Sequence, residues 1–578
     1  MRPETVVAPP QARLLTRAIS QSWRTLLAAG LCSGAVNVLA LTGPIYMLVV
    51  YNDALPSQSA PQLAAFTAAM LSLYALSGFV DYARARLMGA AGLRLGLRLG
   101  EAAFAIQQDL ALKGGPGESL QPLRDLEQIR TFVAGTGPTV VFDLPWMPLY
   151  LCVIYALHPL LAALALAGAG LLVGLMLLAE RWGRSGLEVA ALSAARRWSF
   201  AASAGRNAEA ARAMALNPNL LKRWSVLSAV HGRQEREGVR AATAIASAIK
   251  VARPALQSAT LGLGAYLFLV GQASAGAMIA ASILLSRALA PLETAIAHWR
   301  GFSGAHASYR RLNRWLAALP LPTAQVLKLP SPCQGISVER IAVAPPGTAA
   351  PTVRTVSFAL KAGDGLGIVG PSGSGKSTLA RAIVGVWPVQ SGLVAIDGKP
   401  MPQWNPDLLG RHIGFMPQEA TLLCGSIADN IARFDANASE RAITAAARAA
   451  GVHEMILRLR EGYATDFGDG GAVLSAGQRQ RIALARALYG EPFLVVLDEP
   501  NANLDAEGDA CLTAAIASVR RRGGIAIVIA HRRSALVAVD QVLALANGRA
   551  VALGPKATVL QGVLEAPALA RAPVTAAE

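Results

Sequence analysis

Nine residues, Gly370-Pro371-Ser372-Gly373-Ser374-Gly375-Lys376-Ser377-Thr378, set three glycines ahead of a Lys-Ser-Thr triplet. The segment follows the apolar run Leu366–Val369 and leads into a helical pattern at Leu379. A glycine-rich loop between a strand and a helix lets backbone N–H groups wrap an anion, and the helix N-terminus adds positive potential. Lys376 is positioned to reach the β- and γ-phosphates of a nucleotide, and Ser377 to ligate Mg2+. A second chemical pair stands at Asp498-Glu499, delivered by the apolar run Phe493–Leu497. Asp498 can hold Mg2+, and Glu499 can polarise an attacking water. A chance glycine turn or a surface carboxylate pair would need no apolar strand behind it, whereas the ends of buried strands are where open α/β sheets bind ligands. The chemistry predicted is hydrolysis of a nucleoside triphosphate.

An α/β layer must position these groups. From Ile336 onward short β-like runs occur at Ile336–Val343, Val353–Leu360, Leu366–Val369 and Leu393–Ile396, and helical stretches alternate with strands after that. Just before them Pro320, Pro322, Pro330 and Pro332 break any helix, so 319–335 reads as a linker. What precedes the linker is of another kind. A chain of 578 residues is too long for one core. Hydrophobic residues make up 53% and charged residues only 15%, against about 25% charged in soluble domains. Six apolar runs, near 26–50, 62–82, 139–157, 159–179, 254–271 and 274–296, are each long enough to cross a hydrocarbon layer of about 30 Å. Cys32, Cys152, Cys333, Cys424 and Cys511 have neither metal-ligand spacing nor the density of a disulfide framework. The first apolar run is too long for the core of a signal peptide.

The net charge of +17 is unevenly placed. The segments 51–61, His158-Pro159 and 272–273 contain no Lys or Arg. Arg13, Arg17 and Arg24 precede the first run, Arg84, Arg86, Arg94 and Arg98 follow the second, and Arg181, Arg184, Arg196 and Arg197 follow the fourth. The basic segments and both chain ends are therefore expected in the cytoplasm. No basic cluster is interleaved with stacking aromatics, so nucleic acid is excluded as a partner. The two inside segments, 83–138 and 180–253, are rich in Ala, Leu, Arg and Glu and read as helices projecting tens of Å from the membrane.

Further motifs follow in order between Gly370 and His531. Leu474-Ser475-Ala476-Gly477-Gln478 resembles the ABC signature, Gln418 matches the glutamine loop, Asn503-Leu504-Asp505 the loop after the catalytic strand, and His531 the switch histidine. The chain thus resembles an ABC exporter. The resemblance implies a multidomain fold, with an all-α transmembrane domain of six helices over 25–318 and an α/β P-loop nucleotide-binding domain over 336–557. A short arm (1–24) and tail (558–578) flank them. It implies ATP and Mg2+ as cofactors. ATP would be held by Gly370 to Thr378 and, from a second copy, by Ser475, Gly477 and Gln478. Mg2+ would be held by Ser377, Gln418 and Asp498. Glu499, His531 and Gln418 would serve catalysis, and a homodimer would be required. Two departures stand out. Ala476 replaces a family glycine, and Pro345, in Val343-Ala344-Pro345-Pro346-Gly347, occupies the place of an adenine-stacking tyrosine; weak base selectivity is expected there.

Four stretches resemble one branch, the type I secretion ATPases that export alkaline proteases and lipases: Phe142-Asp143-Leu144-Pro145-Trp146, Ser286–Glu293 with Trp299-Arg300-Gly301-Phe302, Ala344–Gly347, and Glu499–Asp505. That resemblance implies a bacterial inner-membrane location and one-step export of an unfolded protein bearing a C-terminal signal. It also implies a periplasmic membrane-fusion adaptor and an outer-membrane channel as partners, besides membrane lipid. The arm is too short for a peptidase-like domain. The alternative is an exporter of lipids, drugs or small peptides without those partners. Leu123–Phe132 and Ala208–Leu216 stand where exporters place short coupling helices, with Gln418 and the loop to Ile427 as the receiving surface. Gly468–Gly471 resembles a loop that relays across the dimer. Arg287, Thr294 and His298 share a helical face of the sixth run and are candidates for the substrate path; the competing reading is interhelical packing or a pair with Glu293 or Asp143.

Overall fold

The computed structural model describes residues 22–113, 120–318, 329–466 and 474–565, and the chain divides into two compact units at Leu319. The glycine loop Gly468–Gly471 and most of the arm, linker and tail lie outside the described residues.

The first unit is helical: α1 (Trp23–Leu39), α2 (Thr42–Val49) running into a π-helical turn at Val50–Ala54, α3 (Ala60–Lys113), α4 (Gln121–Ala134), α5 (Thr139–Asp143), α6 (Met147–Leu157), α7 (Pro159–Arg206), α8 (Ala208–Ala213), α9 (Asn217–Leu269), α10 (Ala275–Ala297) and α11 (Trp299–Ala318). Helices α3, α7 and α9 contain 54, 48 and 53 residues. At 1.5 Å per residue each is about 70–80 Å long, more than twice a bilayer's hydrocarbon thickness. Each therefore continues well past its apolar run. Among the described residues, four helical stretches are long and apolar enough to cross a membrane, Trp23–Ala54, Ala60–Lys113, Gln121–Leu157 and Ala275–Ala297, and Pro159–Leu175 is a shorter apolar helix. The fifth run of the sequence forms the C-terminal end of α9.

The breaks between helices have local causes. Pro159 opens α7 at the position where its missing N–H costs nothing, and the preceding His158 Nδ1 accepts the Leu160 N–H at 3.2 Å. Ser274 Oγ caps α10 by accepting the Ala277 N–H at 3.1 Å. Leu126 and Ile129 of α4 pack with Leu95, Leu99, Ala103 and Ile106 of α3 and Leu312 and Leu316 of α11. Leu123–Phe132 is thus the body of a 14-residue helix packed lengthwise, not the short coupling helix expected from the sequence. The second expected stretch, Ala208–Leu216, does hold a short helix, α8.

In the second unit, β1 (Gly335–Val343), β2 (Val353–Lys361), β4 (Ser391–Ile396) and β5 (Lys399–Pro400) make an antiparallel sheet in the order β2-β1-β4-β5. A six-stranded sheet is built from β3 (Gly365–Val369), β6 (Ile413–Met416), β7 (Leu494–Asp498), β8 (Ile525–Ile529), β9 (Gln541–Ala546) and β10 (Arg549–Pro555), ordered β10-β9-β3-β8-β7-β6. All its pairings are parallel except β9 with β10. Every residue of β7 and β8 is buried, which is why these strands read as unbroken apolar runs. The helices are α12 (Lys376–Ile383), α13 (Pro406–Arg411), α14 (Ile427–Ile431), α15 (Glu440–Ala449), α16 (His453–Leu457), α17 (Ala476–Leu488), α18 (Ala506–Arg521) and α19 (Lys556–Glu565).

Candidate nucleotide site

Strand order does the assembling. The neighbours β3, β8, β7 and β6 run parallel, with Ile368 beside Ile529, Ile529 beside Asp498, and Leu497 beside Met416. The segments leaving their C-terminal ends are, in the same order, the Gly370–Thr378 loop, His531, Asp498-Glu499 and Gln418. Residues far apart in the sequence therefore converge at one edge of one sheet, the edge where parallel α/β sheets place their ligands.

The loop from β3 to α12 needs its glycines for backbone shape. Gly373 and Gly375 have φ of 78° and 96°, the left-handed region that costs other residues dearly. Gly375 then caps α12, whose first residue is Lys376. The Lys376 Nζ donates to the carbonyls of Gly370 at 3.0 Å and Pro371 at 2.9 Å, so the ammonium lies inside the curl of the loop. Burial holds its pKa below the usual lysine value, against the pull of Glu499 and Asp498. Ser374 and Thr378 are buried, and Ser374 Oγ has no hydrogen-bond partner. Pro371 and Ser372 are exposed and Ser377 is half-buried.

Asp498 ends β7 at 1% exposure, with neither carboxylate oxygen hydrogen-bonded. Burial pushes its pKa up; the Ser377 hydroxyl, close by though short of a well-formed hydrogen bond, works against that, as do Arg381 and Lys376. A buried carboxylate without donors is a costly arrangement unless a cation completes it. Glu499 follows at φ 50°, and its Oε1 lies 3.1 Å from His531 Nε2. Gln418 is exposed just past β6. Pro345 is half-buried after β1, and its carbonyl accepts from the Thr348 N–H at 3.1 Å and the Thr348 hydroxyl at 2.7 Å.

Ser475 and Gln478 form a capping box at the start of α17: the Ser475 Oγ accepts the Gln478 N–H at 3.3 Å and Gln478 Oε1 accepts the Ser475 N–H at 2.9 Å. That leaves the Ser475 hydroxyl proton and the Ala476 and Gly477 amides at the exposed helix end, the array that binds anions. Two residues not singled out in the sequence hold the loop after Glu499. Gln480 is buried against it, and Asn501, at 3% exposure, donates to Ser534 Oγ at 3.4 Å. Gln480 gave no signal of its own, because it stands in the polar run Gln478-Arg479-Gln480-Arg481.

The three residues considered for a substrate path do not gather. Arg287 is exposed on α10; Thr294 Oγ1 donates to Ala290 in its own helix at 3.0 Å; His298, just past α10, meets Thr136 Oγ1 at 3.0 Å. His298 borders a cavity of about 730 Å³ with Phe132, Gln128 and Gly301. The partners considered for Arg287 are engaged elsewhere: Glu293 with Arg253 at 2.6 Å and Asp143 with Arg84 at 3.2 Å.

Comparison with known proteins agrees with this geometry. Residues 26–291 match the ABC transporter transmembrane region and residues 353–502 the ABC transporter family. The fold superimposes on a bacterial Atm1-family ABC exporter with ATP bound, with a TM-score of 0.81 at 21% identity over 96% of this chain and 99% of the other. The chain belongs to the ABC transporters: it is an ATP-hydrolysing exporter with its membrane and nucleotide domains in one polypeptide. Over 93% of its length it is 46% identical to the type I secretion system ATP-binding protein PrsD of Rhizobium meliloti (strain 1021), covering 92% of that protein. It is 30% identical, over 90% of its length and 74% of the relative's, to the toxin RTX-I translocation ATP-binding protein of Actinobacillus pleuropneumoniae. The cyclolysin secretion/processing ATP-binding protein CyaB of Bordetella pertussis is 29% identical over 92% of the chain and 75% of the relative. Within the ABC exporters it is therefore a type I secretion ATP-binding protein, and its function is ATP-driven export by such a system.

Proposed function

We propose that two copies of the chain close head to tail around two ATP molecules and drive one-step export of an unfolded protein with a C-terminal signal. The inner membrane would hold the dimer, with the nucleotide domains and both termini cytoplasmic, a periplasmic adaptor and an outer-membrane channel completing the route. The observation that carries the reading is the division of the chemistry. One group of residues converges at the sheet edge, while Ser475, Gly477 and the α17 N-terminus form a second anion-binding end whose own contacts lie in the 499–503 loop.

Mg2+ fits the site: Asp498 offers two buried oxygens without donors beside the Ser377 hydroxyl, and oxygen ligands suit this ion. Ser377, Asp498 and Gln418 would hold it, and when bound it would neutralise charge on the β- and γ-phosphates. Lys376 and the loop amides bind and orient the triphosphate. Glu499 accepts a proton from the attacking water, and His531, whose Nε2 lies 3.1 Å from Glu499 Oε1, holds that carboxylate and faces the terminal phosphate. Ser475 and the Gly477 amide of the other copy close the far side.

The test is secretion of a reporter bearing a C-terminal signal in cells that make the chain, adaptor and channel. Wild type should deliver it to the medium with no periplasmic intermediate, and K376A or omission of the adaptor should stop it. Transport of lipid or drug by the purified chain alone, with secretion unaffected by K376A, would support the alternative exporter.

A further inference from the structure

Gln480 lies on α17 at 2% exposure, and its amide is fully committed to one short loop. Nε2 donates to the Glu499 carbonyl at 3.2 Å and to the Pro500 carbonyl at 2.6 Å, while Oε1 accepts the Asn503 N–H at 3.1 Å. Three backbone groups around Glu499 are thus satisfied by one side chain from another element. Glu499 itself stands at φ 50°, a conformation its neighbours must hold. Gly477, three residues earlier on the same helical face, presses on the same loop: a Cβ there would stand 2.7 Å from the Asn503 carbonyl oxygen. The helix end that carries Ser475 and the backbone that carries Glu499 are therefore clamped together.

We propose that Gln480 is a positioning residue that makes this clamp functional. Seating Ser475 on the phosphate held by a second copy fixes α17, and through Gln480 fixes the Glu499 carboxylate in the chain's own site. Each copy would thereby report occupancy of one ATP site to the catalytic carboxylate of the other. The inference rests on the head-to-tail dimer proposed above. The competing reading makes Gln480 an ordinary buried amide whose loss costs stability alone.

The experiment uses the full chain in lipid nanodiscs, with ATPase rates, fluorescent-ATP binding and melting temperature measured for each variant. Methionine keeps the length of glutamine without its hydrogen bonds. Q480M should lower kcat by about 10- to 100-fold, the range a small misplacement of a reacting group produces, with nucleotide affinity within about twofold. In an E499Q background the same change should lower the residual rate by less than about twofold, because it acts only through Glu499. Q480E is the second variant. Its carboxylate would face two carbonyl oxygens, but its protonated form donates again, so its rate relative to wild type should rise as pH falls while that of Q480M stays flat. A Q480M loss of equal size with and without Glu499, or a Q480E ratio independent of pH, overturns the proposal. S475A separates the two readings: wild-type activity in S475A overturns the dimer, whereas an inactive S475A beside an unimpaired Q480M overturns only the role of Gln480.

Discussion

Neighbouring positions on α17 should respond oppositely to one methyl group. Ala476 is exposed at the first turn, so its methyl has room where the family pattern has glycine. Gly477 has none: an added Cβ would lie 2.7 Å from the Asn503 carbonyl oxygen, a backbone atom that cannot rotate away. Ordinary carbon–oxygen contact is about 3.3 Å, so G477A must push the helix end or the 499–503 loop by roughly 0.6 Å, and Gln480 and Asn503 move with it. A displacement approaching 1 Å in a reacting group costs up to about 100-fold in rate, so G477A should lose about 10- to 100-fold in kcat. A476G should lose only helix propensity, about 1 kcal/mol or less, and keep kcat within about twofold. Both variants would be compared by ATPase kinetics and thermal melting in lipid nanodiscs. If G477A hydrolyses ATP like wild type, or A476G is equally impaired with an unchanged melting temperature, the close approach of α17 to the Asn503 loop does not control the chemistry.

E499Q should lower kcat about 10²- to 10⁴-fold while ATP still binds, the usual range for a general base, and H531A added to E499Q should cost little more, because the two side chains act through one contact; multiplicative losses in steady-state kinetics would contradict this. Proton exchange on nucleotide binding should change sign with pH. Burial holds the Asp498 pKa up, so Mg2+·ATP binding, which favours the carboxylate, releases a proton on the acid side and weakens as pH falls through the raised pKa. Burial holds the Lys376 pKa down, so phosphate, which favours the ammonium, draws a proton in on the alkaline side, and binding weakens as pH rises through the window from the free to the bound pKa. Calorimetry in two buffers of different ionisation enthalpy measures both; zero exchange at either end refutes the corresponding assignment. P345Y should tighten nucleotides by the worth of one aromatic stack, about 1–3 kcal/mol, and sharpen the preference for ATP over UTP in competition binding; an unchanged preference would remove Pro345 from the base site.

The nucleotide site was legible because each part is a local pattern with a local cause. Gly373 and Gly375 are glycine for backbone reasons, and β7 and β8 are apolar because both faces are buried. The convergence of Gly370–Thr378, His531, Asp498-Glu499 and Gln418 was not local, since it depends on the order β3-β8-β7-β6, which no stretch of sequence records. Gln480 was missed for the same reason: its partners are carbonyls and an N–H, backbone groups that leave no trace in residue type. In the first unit the helices followed from composition, but Leu123–Phe132 did not become a short coupling helix. The pattern of apolar residues on α4 is matched by α3 and α11, where Gly92 and Gly96 leave space for the Arg130–Ala134 turn.

The acidic residues of the helical unit explain why charge in apolar helices was easier to notice than to assign. Asp143, at the end of α5, accepts from Ser33 Oγ at 2.6 Å and Asn37 Nδ2 at 2.8 Å of α1, and pairs with Arg84 of α3. Asp125 of α4, 1% exposed, takes Arg311 of α11 at 2.7 Å and Ser308 at 2.9 Å. Glu293 of α10 takes Arg253 of α9. Asp143 and Asp125 tie helices distant in sequence and Glu293 ties two consecutive ones, because a charge removed from water must be paired and hydrogen-bonded or it is too costly to keep. These arginines are therefore spent on architecture. Arg287, which shares α10 with Glu293, is exposed instead, so it takes no part in tying these helices together.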